Sequence, residues 1–120
     1  TKTDQLIVVD YKATSKDGEV SLDAPWQISY KRQVEIYQWL LRKNGFDVQD
    51  TAYFVYCNAI RKNIPFENKL HFKIKLIGYK GDDSWIPSTI KKMKICLDSD
   101  KAPSSSKDCE YCRYVIKANL

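Results

Sequence analysis

The sequence predicts an α/β fold, a small mixed sheet with helices packed on it. Two runs of strand length, residues 6–11 and 51–57, are rich in β-branched and aromatic residues, and an amphipathic segment at residues 28–44 separates them. Strand, helix and strand in this order are typical of a sheet covered by helices. With 120 residues, of which 43% are hydrophobic, the chain is predicted to form a single domain.

The first strand and the loop after it are predicted from composition. Residues 6–11 read Leu-Ile-Val-Val-Asp-Tyr, with little alternation of apolar and polar positions. Such a run is typical of a strand covered on both faces. Residues 14–29 are mostly polar and contain Gly18 and Pro25, which predicts a loop.

Helical periodicity is clearest in residues 28–44. Apolar side chains recur there at three- and four-residue steps, and Gly45 is the expected stop. These positions are Val34, Tyr37, Leu40 and Leu41. Residues 51–57 then predict a second buried strand.

The rest of the chain predicts a third strand, a second helix and a tail. Residues 70–79 alternate between apolar and basic or polar positions, which predicts a strand with one wet face near the sheet edge. Ser84 is a candidate cap for a helix whose apolar face holds Ile86, Ile90, Met93 and Leu97. Residues 98–107 are rich in Ser, Asp and Lys and predict a loop that leads to the C-x-x-C pair. This loop belongs to a cysteine-containing tail at residues 99–120.

Composition narrows the class of protein. The net charge of +5 and the pI near 9.0 weakly favour binding to polyanions. No apolar run approaches the roughly 20 residues that span a bilayer, so we expect no membrane. The four cysteines include a C-x-x-C pair and one inside an apolar run, a pattern that suits a reducing compartment. We therefore predict a cytoplasmic protein.

Asp10 and Lys12 are the first candidate catalytic residues. Side chains alternate along a strand, so these two project from the same side while Tyr11 faces away. A carboxylate beside a lysine suits metal-assisted phosphodiester cleavage, in which the carboxylate holds a divalent cation. The lysine then orients the attacking water or stabilises charge on the phosphate. The alternative is a strand that ends at the surface with both side chains solvated.

Gln33 and Tyr37 are the second candidate pair. Four residues apart, they share one face of the first long helix. An amide and a phenol at that position can bind a phosphate or hold the lysine. The alternative is an ordinary amphipathic helix in which Tyr37 belongs to the core.

Together these motifs resemble a known family. A hydrophobic strand ending in Asp10-Tyr11-Lys12, a polar loop, and a helix that opens with Gln33-x-x-x-Tyr37 resemble the PD-(D/E)XK nuclease superfamily. More narrowly, the pattern is similar to the RecB-like branch, which includes the CRISPR-associated exonucleases. Residues 6–56 carry the resemblance, and the tail matches only loosely.

The resemblance implies a restriction-endonuclease-like core and a magnesium- or manganese-dependent deoxyribonuclease. Asp10 would bind metal, Lys12 would position water and stabilise charge, and Gln33 and Tyr37 would hold the lysine and the phosphate. DNA is the implied partner, together with a helicase or another subunit of a nuclease complex.

The sequence departs from the family pattern before the first strand. Such nucleases carry a further acidic residue on a preceding strand, and this chain starts about five residues before its Asp-x-Lys strand. Asp4 is a poor substitute. We therefore expect the chain to be the C-terminal portion of a nuclease domain, with little or no activity by itself. The alternative is a non-catalytic nucleic-acid-binding domain with a degenerate nuclease fold.

The cysteine tail is similar to that of RecB-like nucleases in which cysteines hold an iron–sulfur cluster. Cys109 and Cys112 would supply two ligands, and Cys96 is a candidate third. A zinc site, or two thiols without a ligand, are the alternatives.

Three residues near the Gln33 helix are candidates for DNA binding. Lys31 and Arg32 flank Gln33 and would add positive charge near the site. Trp26, in the preceding loop, would stack on a base of a single strand or pack on the helix start as a hydrophobic staple.

Overall fold

A three-stranded mixed sheet and three helices form the fold seen in a computed structural model, which describes residues 4–61, 65 and 67–118. The elements in chain order are β1 (Val9–Thr14), α1 (Ile28–Lys43), β2 (Thr51–Ala59), β3 (Phe72–Lys80), α2 (Ile86–Leu97) and α3 (Glu110–Lys117). The chain divides into two compact units, Thr1–Ile86 and Pro87–Leu120. The predicted mixed α/β architecture is confirmed.

The sheet has the strand order β1-β2-β3. β1 runs parallel to β2, with Asp10 opposite Phe54 and Lys12 opposite Tyr56. A parallel pair requires a crossover connection, and α1 lies in that connection. β3 then returns antiparallel to β2, with Ile77 opposite Phe54.

The core lies between α1 and one face of this sheet. Val34 of α1 and Ala52 and Phe54 of β2 have no accessible surface. Burying apolar side chains of this size stabilises a fold by about 1.5–3 kcal/mol each. The remaining buried members of the core cluster are Val8, Val20, Leu22, Val48 and Tyr56.

The end of α1 follows the prediction made for Gly45. Its φ of +87° is in the left-handed region that glycine adopts without a Cβ penalty. The amide of Gly45 donates to the carbonyl of Arg42 at 3.0 Å, and the amide of Phe46 donates to Leu41 at 3.1 Å. These two bonds form a Schellman motif, which satisfies the last carbonyls of the helix.

The second face of the sheet corrects two predictions. Residues 6–11 were expected to form a strand with both faces covered, but β1 begins at Val9 and Tyr11 is 74% exposed. In β3, Leu76 is 61% exposed, while Ile77 packs against the core. The apolar alternation in β3 therefore lies on the open face, because the register places Ile77 opposite Phe54 on the core side. The predicted edge position of β3 is confirmed.

The second unit contains most of α2 and all of α3. α2 was predicted from its apolar spacing, and Ile90, Met93 and Leu97 are exposed on it. α3 was not predicted, because its 8 residues give too short a pattern to separate from the tail. In the part of the chain that the structure describes, no helix has the length and apolar character that a bilayer crossing needs.

Candidate active site

Asp10 and Lys12 lie on the α1 side of β1, as the alternation of strand side chains predicts. The Lys12 Nζ is 2.6 Å from the Asp10 Oδ2. Their side chains retain 17% and 13% of their accessible surface, so the pair is held in a partly dry environment. The alternative of two freely solvated side chains at the end of the strand does not describe this geometry.

One oxygen of the Asp10 carboxylate is buried and paired with the lysine. Asp10 Oδ2 lies 2.6 Å from the Lys12 Nζ, and no other group among the described residues donates to it. An ionised carboxylate has about four acceptor positions, so this ion pair leaves the group able to accept a further cation or donor. A buried carboxylate with few partners suits a position where an ion binds.

Gln33 connects the lysine to Tyr37. Lys12 Nζ donates to Gln33 Oε1 at 3.1 Å, and Gln33 Nε2 donates to the Tyr37 hydroxyl at 2.7 Å. An ammonium group only donates, so the amide oxygen must face Lys12 and the amide nitrogen must face Tyr37. The structure therefore joins Asp10, Lys12, Gln33 and Tyr37 in one polar chain that crosses from β1 to α1.

Two further tyrosines border the lysine and were not singled out from the sequence. The Tyr30 ring centroid is 4.3 Å from Lys12 Nζ, within the range of a cation–π contact. Tyr30 precedes Gln33 by three residues and Tyr37 by seven, so helical spacing alone could have placed it on the same side. Tyr56 lies opposite Lys12 in β2, and its hydroxyl accepts from Gln27 Nε2 at 3.4 Å. Burial raises the pKa of Tyr56, so this phenol stays neutral near the pair.

The site fits a divalent cation in its donor chemistry but not in its number of donors. The Asp10 carboxylate supplies the hard oxygen ligand that magnesium prefers. Within the described ranges, however, no three His, Cys, Asp or Glu side chains are grouped so that they could hold a metal. Asp10 alone would hold a metal ion weakly.

The predicted DNA-binding residues take different positions around α1. Lys31 Nζ lies 5.6 Å from the Tyr79 ring and Arg32 Cζ lies 5.8 Å from the Trp85 ring, so both lean toward β3 and the start of α2. The structure does not bring them to Lys12. Trp26 lies in a 3-10 turn, Pro25–Gln27, and contacts Tyr30 edge to face at a centroid distance of 5.4 Å. A role of these residues in binding DNA stays a prediction.

The cysteine pair lies in the second unit. Cys109 caps the N-terminus of α3, and its Sγ accepts from the backbone amide of Cys112 at 3.4 Å. That hydrogen bond lowers the pKa of Cys109, and the hydrogen bond between the two side chains raises the pKa of Cys112. Cys96 is exposed on α2 and does not join them in a metal-ready cluster within the described chain.

A second polar cluster lies on the opposite side of α1, and sequence reasoning missed it. Glu35 is 5% exposed, and three groups donate to its carboxylate. They are the Tyr79 hydroxyl at 2.6 Å, the Trp85 Nε1 at 2.7 Å and the Asp82 amide at 3.2 Å. Burial, followed by the hydrogen bond to Glu35, raises the pKa of Tyr79 to about 12. With its lone pairs occupied, Glu35 is a structural group rather than a second metal ligand.

Comparison with known proteins identifies the family of the chain. A family model for the PD-(D/E)XK nuclease superfamily matches residues 1–116. No curated protein and no solved structure gives a significant match. Nucleases of this superfamily generally use divalent metal ions and act on nucleic acid. The match spans the strand that carries Asp10 and Lys12 and the helix that carries Gln33 and Tyr37, and the chain belongs to the PD-(D/E)XK nuclease superfamily.

Proposed function

We propose that this chain carries the catalytic strand and helix of a metal-dependent deoxyribonuclease that hydrolyses DNA phosphodiester bonds. The observation that supports it most strongly is the polar chain from Asp10 to Tyr37, which begins at a buried carboxylate oxygen that is paired with the Lys12 ammonium. An ionised carboxylate has about four acceptor positions, so Asp10 can bind a cation while it keeps its ion pair with Lys12.

Each side chain has a role in this proposal. Asp10 would hold Mg²⁺ or Mn²⁺, which would supply Lewis-acid stabilisation of negative charge on the phosphate. Lys12 stabilises negative charge on the phosphate and orients the attacking water. Gln33 fixes the position of the Lys12 ammonium through its amide oxygen. Tyr37 holds the other end of that amide at the rim of the site, where its ring is 42% exposed.

A second acidic ligand is needed for tight metal binding. Magnesium is usually held by one or two carboxylates with water and substrate phosphate, and the described residues bring no group of three possible metal ligands together at this site. We infer that the chain is the C-terminal portion of a RecB-like nuclease domain and that the other ligand lies elsewhere in the full-length protein. By the same inference a helicase or another nuclease subunit is its partner.

The small donor set also favours a second candidate function. A non-catalytic nucleic-acid-binding domain would retain the fold and the positive charge of +5 without assembling a metal site. In that case Lys12 would contact phosphate as a simple cation, and its affinity for DNA would fall with salt concentration.

The C-x-x-C pair adds a further proposal about cofactors. Cys109 and Cys112 would serve as two ligands of an iron–sulfur cluster or a zinc site in the full-length protein, with Cys96 as a candidate third. The thiolate character of Cys109, which the backbone amide of Cys112 supports, suits a metal ligand. Iron and zinc analysis of the purified full-length native protein would decide between these metals.

The experiment is a cleavage assay with the full-length native protein. Labelled single- and double-stranded DNA would be incubated with Mg²⁺, with Mn²⁺ and with EDTA, beside Lys12→Ala and the 120-residue chain. Lys43→Ala is the matched control, because Lys43 ends α1 near the Trp39 ring and lies far from Asp10. We expect metal-dependent cleavage that Lys12→Ala reduces about 100-fold or more, because it loses a preorganised charge at the phosphate.

The outcomes separate the two candidate functions. Full activity in Lys12→Ala would contradict the assigned role of that lysine. Absence of cleavage under all metal conditions, with salt-sensitive DNA binding retained, would support the binding domain instead. Circular dichroism and urea unfolding of each variant would exclude loss of the fold as the cause.

A further inference from the structure

The exposed indole of Trp26 contacts Tyr30, and Tyr30 in turn contacts the Lys12 ammonium group. Trp26 is 61% exposed, although tryptophan is usually well buried. Its ring meets the Tyr30 ring edge to face, with a centroid distance of 5.4 Å and an interplanar angle of 86°. The Tyr30 ring in turn lies 4.3 Å from Lys12 Nζ. The indole is therefore within about 10 Å of the ammonium group.

The backbone around Trp26 is held in place by its neighbours. The buried Gln27 side chain accepts from the Ala24 amide at 2.8 Å and donates to the Ser21 carbonyl at 2.6 Å. The Ser29 hydroxyl donates to the Trp26 carbonyl at 3.0 Å. Pro25 also restricts the turn through its fixed φ. The indole is therefore presented on a fixed turn, and this lowers the entropy cost of binding a ligand to it.

The two other tryptophans do not share this arrangement. Trp85 is half-buried, and its Nε1 donates to Glu35. Trp39 is half-buried on α1 beside Lys43. A hydrophobic staple would bury the indole of Trp26 against the helix start, whereas the residue remains 61% exposed. Packing alone therefore does not account for Trp26.

A flat, exposed aromatic ring beside a cation suits a nucleic acid strand. Bases stack on tryptophan whatever their identity, because every base has a π-face. Inside a duplex those faces are covered by the neighbouring base pairs, so only an unpaired base can stack on a protein ring. A strand with its phosphate at Lys12 and a nearby base on Trp26 would engage both features.

We propose that Trp26 is a stacking platform for an unpaired DNA base, and that the Lys12 site therefore acts on single-stranded or frayed DNA rather than on intact duplex. The part of this proposal that concerns cleavage rests on the proposed nuclease function. The part that concerns binding does not. Tyr30 has a positioning role, since it contacts both the indole and the ammonium group.

Binding assays in EDTA test the platform separately from catalysis. A fluorescein-labelled single strand and the blunt duplex of the same sequence would be titrated with the full-length protein and with Trp26→Ala and Trp26→Phe. We expect Trp26→Ala to weaken single-strand binding about 5- to 100-fold and to leave duplex binding unchanged. Trp26→Phe keeps an aromatic face and is expected to retain most of the affinity.

Phe46→Ala is the matched control. Phe46 is also an exposed aromatic residue, but it follows the C-terminal end of α1, about 24 Å along the helix from Trp26. It should bind both DNAs as the wild type does. Equal losses on single strand and duplex in Trp26→Ala, or no loss on either, would overturn the proposal.

A measurement on the wild-type protein does not depend on any variant folding. A strand with 2-aminopurine in place of one adenine loses fluorescence when that base stacks on an aromatic ring. We expect quenching with the single strand, and binding without quenching at any labelled position would overturn the platform. Cleavage of single strand and duplex at equal rates would overturn the substrate preference and leave the nuclease proposal intact. Trp26-dependent binding of single strand without any cleavage would overturn the nuclease proposal and leave the stacking platform intact.

Discussion

Gly81 occupies a position where a side chain has no room. A Cβ at this residue would collide with the amide oxygen of Gln38 and would lie 3.4 Å from the Glu35 Cγ. Gln38 cannot easily move aside, because it is 1% exposed and its Nε2 donates to the carbonyls of Gln49 and Asp50, each at 2.9 Å. The buried amide of α1 therefore determines which residue can follow β3.

We expect Gly81→Ala to lower the free energy of unfolding by about 2–3 kcal/mol, through overpacking and the loss of a buried hydrogen bond. Gly78→Ala is the matched control, because its Cβ would meet Tyr53 at 3.4 Å and Thr51 at 3.7 Å, both ordinary contact distances. Urea unfolding of both variants measures the difference. Equal midpoints for the two variants would show that Gln38 has another low-energy position.

For individual residues, the sequence predicted the members of the polar chain from Asp10 to Tyr37 but not their surroundings. Alternation along β1 placed Asp10 and Lys12 on one side, and the four-residue spacing placed Gln33 beside Tyr37. Both rules act over a few residues. The small number of donors around Asp10 Oδ2 depends on every group near it, so no local pattern could have predicted it.

Among the elements, α1 is tied to the rest of the unit by the Glu35 carboxylate. Its donors come from β3 and from the segment before α2, at separations of 44 to 50 residues along the chain. Local sequence could not identify those partners. The one signal available was the spacing of Glu35, Gln38 and Arg42 at helical steps, which predicts a polar stripe along one side of α1.

The hydrogen bond from Tyr79 to Glu35 is sensitive to alkaline conditions, because the pKa of Tyr79 is raised. A pKa of about 12 in the folded protein, against 10.0 as the ordinary value, means that folding favours the neutral phenol. The stabilisation is complete below pH 10 and is lost as the pH rises toward 12. We expect the free energy of unfolding to fall by about 2 kcal/mol over this range, after allowance for the partial exposure of Tyr79.

Tyr79→Phe isolates the contribution of this phenol. Below pH 10 the variant should be less stable than the wild type, because Glu35 loses a donor. The gap should narrow as the pH rises, since only the wild type has this phenol to ionise. Urea unfolding at several pH values gives the comparison, and parallel curves for the two proteins would refute the linkage.

For the molecule as a whole, the uncovered face of the sheet is the feature that local reasoning assigned wrongly. Leu70, Phe72, Ile74 and Leu76 alternate with polar residues, which suggested a buried apolar face. The pairing of β3 with β2 reverses that assignment, because it directs Ile77 and Tyr79 toward the core. Register is a property of two strands together, so one strand's pattern could not predict it.

We expect Leu76→Lys to change the free energy of unfolding of the 120-residue chain by less than about 0.5 kcal/mol, since Leu76 is exposed. The neighbouring Ile77→Lys is the comparison, and it should unfold the chain because Ile77 packs against the core. Urea unfolding and size-exclusion chromatography would measure both. Strong destabilisation by Leu76→Lys would mean that this face is covered in solution.

The strand order leaves β1 paired on one side only, within the residues that the structure describes. Its outer rim of amide and carbonyl groups is thus available for another backbone, from the same polypeptide or from a different one. A strand laid along that rim would stand about 5 Å from Asp10, which is the ordinary spacing between neighbouring strands. An acidic side chain on such a strand, if it pointed toward α1, would lie near the metal ion that we propose Asp10 to hold. The unpaired edge of β1 is therefore where a second carboxylate for the proposed metal site would be added.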